Sequence, residues 1–255
     1  MRIIDLSTTI EMGLASDAPH QAPEILYRTH ADNTENVARS YGCTPEELPF
    51  GIGWANERIT LTSHSGCHMD APWHYFPTMN NGEPSRTIDQ VPLEYCFSDG
   101  VHFDFSKRDP REIIRTDDFK RALDEMEYQL KPLDIVLLES GAAPHFGYKD
   151  YTKNGAGVSE EATVWLMDQG IKVVGTDSYT WDMPFSLAAE IYQRDKDNRI
   201  IWEGHLAGRH GEYYQMEKLT NLHLLPGHGF KVICFPVKLK GASAAWTRPV
   251  ALLDE

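Results

Sequence analysis

Apolar residues along this chain gather in short runs of strand length. They occupy Met1–Leu6, Arg58–Ser63, Val101–Phe105, Asp134–Glu139, Lys172–Thr176 and Phe230–Val237, each bounded by polar or turn-forming residues. Two segments show helical spacing instead. Over Asp117–Leu130 the apolar residues Phe119, Leu123, Met126 and Leu130 recur near the helical period, and Pro132 stops the pattern. Over Ser159–Gln169, Ser159 is placed to cap the N-terminus, Glu160 and Glu161 complement the dipole in the first turn, and Gly170 ends the helix. Each helix is followed closely by an apolar strand, Ile135–Leu138 and then Lys172–Gly175. That order predicts βα units in a mixed α/β domain. Ser16–Gly53 is polar and aperiodic, and reads as a long loop with one short helix at Thr44–Leu48. Gly141–Gly157 reads as a second long loop, and such loops often carry function. No linker divides the chain, so residues 1–255 are expected to form a single domain.

Composition narrows the class. Hydrophobic residues make up 41% and charged residues 24%, as in ordinary globular proteins rather than disordered ones. Lys and Arg number 24 against 38 Asp and Glu, a formal net charge of −14. Such a surface repels phosphate backbones and anionic membranes, so neither nucleic acid nor membrane is the expected partner. No apolar run approaches the ~18 residues of a membrane span, and the N-terminus lacks the apolar stretch of a signal peptide. Four cysteines form no C-x-x-C pair, which points to a reduced, cytoplasmic chain without a disulfide framework.

Chemistry enters with the histidines. There are 11, and three fall in the run His64-Ser-Gly-Cys-His68-Met-Asp70-Ala-Pro-Trp-His74, an H-x3-H-x-D-x3-H pattern. Imidazoles and a carboxylate are costly to bury unpaired, and gathered together they share one obvious partner, a divalent cation. Gly66 and Pro72 argue against a regular helix, and a strand leads into the motif, so the run is placed on a loop leaving a strand. His68 and Asp70, two apart on extended backbone, then point to one side. His64, His68 and Asp70 supply two nitrogens and a carboxylate, which suits zinc, manganese or iron, and three protein ligands leave a catalytic position open. His74 is a candidate general base or further ligand. An isolated histidine is usually a surface or hydrogen-bonded residue; four such groups in one short run are not.

A second set lies between Trp202 and Asn221, where His205, His210, Gln215 and Glu217 are available and spacing does not choose among them. Trp54, Trp73 and Trp181 are candidates to line an apolar pocket, Trp73 foremost because it lies inside the motif. Cys67 is read as a packing residue rather than a nucleophile. Asp177 and Ser178 follow a strand within conceivable reach of the site, but no G-x-S-x-G supports a serine triad. His68-x-Asp70 with a distant histidine also matches the facial triad of a non-haem iron oxygenase, which leaves His64 and His74 unexplained and is distinguished by a requirement for oxygen. A structural metal module would need four protein ligands and no pocket.

The run His64–His74 resembles the H-x-G-T-H-x-D-x-P-x-H signature of the cyclase family, which includes bacterial kynurenine formamidases, isatin hydrolases and metal-dependent trans-dienelactone hydrolases. The resemblance extends over most of the chain, from RIIDLSTTI through VVGTDS to EKLTNL and FPVKLKGASAAWTRPV. It implies that His64, His68 and Asp70 bind metal and that His74 donates and accepts protons. A later histidine, twelve residues ahead of a glutamate, completes the family site; here that pair is His205 and Glu217. Glu217 is implied as a metal ligand, and His205 as a second-metal ligand or an acid/base group, with Gln215 the alternative facing the metal. The signature threonine is Cys67 here. The W-P-G-D loop that supplies a stacking tryptophan in kynurenine formamidases reads Leu14-Ala-Ser-Asp17, without an aromatic. Additions around Phe105–Gly157 and Ser186–Trp202 make the chain more similar to isatin hydrolases. The resemblance further implies a swivelling β/β/α fold, usually a homodimer, with one or two Zn2+ or Mn2+ ions. The expected activity is hydrolysis of a small cyclic amide or lactone through a metal-activated water, with arylformamidase or dienelactone hydrolase as alternatives. The length and polarity of Ser16–Gly53 suit a segment that reaches a neighbouring subunit.

Overall fold

The computed structural model describes residues 1–254. The chain opens with β1 (Arg2–Asp5), then forms an antiparallel ribbon of β2 (Glu24–Arg28) and β3 (Asn56–Thr60) with α1 (His30–Tyr41) between them. β4 (His68–Asp70) and the single-turn α2 (Pro72–Tyr75) carry the histidine-rich run, and a small ribbon follows, β5 (Thr78–Met79) with β6 (Glu83–Pro84). Next come β7 (Phe97–Asp104), α3 (Thr116–Glu125), β8 (Ile135–Glu139), α4 (Glu160–Asp168) and β9 (Val173–Thr176), the βα succession expected from the apolar pattern. α5 (Phe185–Asp195), α6 (Glu203–Leu206), β10 (Tyr214–Glu217), β11 (Phe230–Ile233), β12 (Ala244–Trp246) and β13 (Val250–Leu253) complete the order.

Among the described residues, nine strands join one mixed sheet in the order β1-β13-β11-β7-β8-β9-β10-β4-β12. β7, β8, β9 and β10 run parallel, and the other neighbours pair antiparallel. Isolated bridges at Ser7–Leu219 and Pro236–Thr247 tie the outer strands back, so the sheet curls. The mixed α/β class is the one expected. Side-chain alternation divides the core in two. Ile135, Leu137 and Val173 join Met69, Tyr214, Met216 and Val232 on one face, while Val136, Leu138 and Val174 meet Phe119, Leu123 and Leu166 of α3 and α4 on the other. Burial on both faces is why the β8 segment reads as an unbroken apolar run.

Local signals account for the predicted helices. Ser159 Oγ accepts the Ala162 N–H at 3.1 Å, and Gly170 takes the left-handed conformation (φ +86°) that stops α4. α3 ends at Glu125 rather than Leu130, because Glu127 turns to φ +52° and the chain is captured by Asp134, which accepts from Tyr128 Oη and Lys131 N. The reading of Ser16–Gly53 as a loop is corrected more substantially. It contains β2 and the 12-residue α1, capped by a Thr29–Asp32 box and by Gly42 at φ +68°. Its buried apolar contacts reduce to Val37 and Ala38 against Leu48, so the helix leaves almost no periodic trace. The helix expected at Thr44–Leu48 is one 3-10 turn, Pro45–Glu47. All four cysteines are free, and no described helix is long and apolar enough to cross a membrane.

Candidate metal centre

The site is assembled by strand register. β4 lies between β10 and β12, with Asp70 opposite Gln215 and His68 opposite Glu217 on β10. Met69, Tyr214 and Met216 turn into the core, so alternation sends His68, Asp70, Gln215 and Glu217 to the other face together. His64 arrives from the turn before β4. Gly66 there has φ +61° and would place a Cβ 2.6 Å from the Ile10 side chain, so the tight approach requires glycine. After β4, extended Ala71 leads to Pro72 at the first position of α2, whose single turn brings His74 back over the strand.

The donor atoms converge. His64 Nδ1 lies 2.9 Å and His68 Nε2 3.3 Å from Asp70 Oδ1, and His68 Nε2 is 3.5 Å from Glu217 Oε2. Two overlapping groups, His64–Asp70–His74 and His68–Asp70–Glu217, each hold their ligand atoms within 4.8 Å. His68 Nδ1 donates to the Gly66 carbonyl at 2.9 Å, which assigns the lone pair to Nε2. That Nε2 and Asp70 Oδ1 are both buried and, among the described residues, have no hydrogen-bond partner. Leaving such atoms unanswered costs kilocalories, and a cation between them removes the cost. The residues therefore fit a divalent metal with nitrogen and oxygen ligands.

A surrounding shell orients these groups. Asp182 accepts from His205 Nδ1, leaving Nε2 directed at Glu217 Oε1 (3.7 Å) and Asp70 Oδ2 (3.9 Å). Gln215 Nε2 lies 2.7 Å from His205 Nε2, 2.9 Å from Glu217 Oε1 and 3.3 Å from Asp70 Oδ2, three acceptors for two hydrogens. Tyr75 Oη donates to the Asp70 carbonyl and Lys218 Nζ to the His64 carbonyl. The His74 ring sits 4.2 Å from that of His64 and 5.4 Å from that of His205. Trp202 stacks on His205 at 4.7 Å and meets His74 edge-on.

Burial shapes the electrostatics. It pushes His68 down and His74 to about 4, so neutral imidazole is favoured at both. Burial opposes ionisation of Asp70, yet the imidazoles of His68 and His74 hold its carboxyl well below the usual range. Burial and then the Asp70 charge raise Glu217. Two carboxylates held so close call for added positive charge.

Of the expected residues, His64, His68, Asp70, His74, His205, Gln215 and Glu217 come together, a larger donor set than a two-histidine, one-carboxylate triad. His210 instead meets Glu160 near the surface. Trp73 does not line the cavity: at the second position of α2 it is 48% exposed, whereas its neighbour His74 faces inward. Trp181 is core, with Nε1 donating to Thr163, and Trp54 packs on Tyr41 beside the ribbon. Cys67 is buried, its thiol pushed up to about 12 by that burial. Asp177 is spent on Ser140 and Ala143. Trp202 takes the place expected for Trp73, and Asp182 and Lys218 had no sequence signal, since each acts through a partner far along the chain. The site opens into a cavity of about 920 Å³ that reaches His64, His74, His205 and Glu217.

Comparison with known proteins places this geometry. The Cyclase family model matches residues 4–183. Among solved structures, the fold is similar to isatin hydrolase A from Ralstonia solanacearum, at 19% identity, TM-score 0.75, over 99% of this chain and 92% of that one. It is similar to isatin hydrolase A from Labrenzia aggregata bound to benzyl benzoate, at 20% identity, TM-score 0.75, over 100% and 94%. A structure described as a potential metal-dependent hydrolase with cyclase activity matches at 20% identity, TM-score 0.67, over 100% and 98%. At these identities the likeness is one of fold.

Proposed function

The chain belongs to the Cyclase family, and we propose that it is a metal-dependent hydrolase opening a small cyclic amide or lactone of the isatin type. The observation that carries this reading is the facing pair of buried, unpartnered atoms, His68 Nε2 and Asp70 Oδ1. His64, His68, Asp70 and Glu217 would hold Zn2+ or Mn2+, with His205 Nε2 available to a second ion. When bound, the metal supplies a Lewis acid for the carbonyl and lowers the pKa of a water toward about 7. The remaining work falls to the chain. The Gly66 carbonyl and Asp182 set the tautomers of His68 and His205. His74, at the cavity wall over His64, accepts a proton from the attacking water at a ring nitrogen and delivers it to the departing nitrogen or oxygen.

The test is turnover of isatin, N-formylkynurenine, a dienelactone and a cyclic imide before and after exhaustive chelation. Activity should vanish with the metal and return with Zn2+ or Mn2+ in the absence of oxygen. Undiminished activity in chelated protein, or an oxygen requirement, refutes the reading. His74→Ala should keep the metal and lose about 10²–10⁴-fold in kcat; wild-type turnover in that variant removes the proton-transfer role.

A further inference from the structure

The cavity beside the candidate metal centre is larger and more apolar than ring opening of a bare bicycle requires. At about 920 Å³ it lies at the upper end of the ~300–1,000 Å³ range of small-molecule sites. One wall is α5, which presents Phe185, Ala188, Ala189 and Tyr192 to the cavity, the i, i+3, i+4, i+7 stripe of a helix face. Ala188 is buried against Met183 and Leu187 and the Phe185 ring meets the edge of Tyr179 at 6.1 Å, but Phe185 stays 53% exposed and the neighbouring Ile201 47%, so the outer part of this stripe is open to the cavity. The two alanines leave depth between the aromatic rings. Trp202, stacked on His205, continues the apolar surface to the reacting end. Among the described residues of the lining, Glu217, already within the metal-facing group, is the one carboxylate.

We propose that the substrate carries an apolar tail of several carbons, alkyl or arylalkyl, beyond the group that is hydrolysed, and that this tail lies along α5. The proposal rests on the hydrolase reading of the site. A substrate confined to the metal-facing end would leave the α5 stripe in water, whereas each buried methylene of a tail strengthens binding about fourfold, the ratio that ~0.8 kcal/mol corresponds to.

Two measurements separate this inference from the reading it rests on. The first is calorimetric binding of phenylalkanols from benzyl alcohol to 6-phenylhexanol, which are weak metal ligands. The second is kcat/KM for N-alkyl isatins from methyl to hexyl on metal-loaded protein. Affinity and kcat/KM should rise about fourfold per methylene over the first few carbons. In Ala189→Trp, at an exposed position of α5, the hexyl-to-methyl ratio should fall at least tenfold; Ser186→Trp, on the first turn of the same helix, is the second probe should the first fail to fold. Length-dependent binding without turnover of any isatin leaves the cavity inference standing and refutes the hydrolase reading. Turnover with no dependence on tail length, or a dependence unchanged in both variants, overturns the tail while leaving the hydrolase.

Discussion

Asp70 on β4 and Asp177 just past β9 flank β10 on either side, and both are wholly buried. Their surroundings differ in one respect. Asp177 Oδ1 accepts from Ser140 N (2.7 Å) and Ser140 Oγ (2.6 Å), and Oδ2 accepts from Ala143 N (2.9 Å). The chain answers that charge completely, and the carboxylate clamps the loop after β8. Among the described residues Asp70 Oδ1 has no well-formed hydrogen bond, its nearest neighbours being the imidazole nitrogens of His64 (2.9 Å) and His68 (3.3 Å), and Oδ2 receives only a long contact from Gln215 at 3.3 Å. Burial alone therefore does not distinguish a reactive carboxylate from a structural one. Accounting for donors does, because a buried charge left unmatched by the protein must be matched by something else.

The largest expected effect comes from Asp70→Asn, which removes the negative charge shared by His64 and His68. Metal affinity should fall by at least about a hundredfold, more than loss of an outer-shell partner costs, and turnover with it. Metal titration and turnover assays check both, and wild-type metal affinity in the variant would break the contrast. Asp177→Ala should do the opposite. Three donors lose their acceptor, costing about 3 kcal/mol, and the melting temperature should drop by roughly 6–12 °C. Metal stoichiometry should stay intact; loss of metal here would show that the two carboxylates act as one unit.

A smaller effect is expected at Glu139, the next acidic group along the same edge of the sheet, 3.2 Å from His102 Nε2. Burial, and then the charges of Asp104 and Asp177, push its carboxyl up to about 7 from 4.5. Between those values the folded protein holds a proton that the unfolded chain has released, so this group lowers stability as pH rises through the window. Glu139→Gln should flatten the decline in melting temperature from pH 5 to 7.5. Parallel curves for the two proteins would mean an ordinary carboxylate there, and would leave Asp177 without electrical influence on its neighbour.

Much of the candidate site was legible because its chemistry is local. His64, His68 and Asp70 sit within one short run, Gly66 and Pro72 exclude a helix, and period-two backbone puts His68 and Asp70 on one side wherever the strand goes. The β7-α3-β8-α4-β9 succession was legible for the same reason, each element carrying its own periodicity and caps. α1 was not, because three buried residues in a polar segment give no period. Glu217 and Gln215 came within reach of Asp70 only when β10 paired with β4 in one particular register. The Asp182–His205 pair and the choice of Trp202 over Trp73 depended likewise on packing between distant segments. Which ligand types and which strands and helices this protein has, the amino-acid order determines over a few residues at a time. Which side chains finally converge in one place is decided by sheet order and register, long-range pairings set by burial of the whole core rather than by any single stretch of chain.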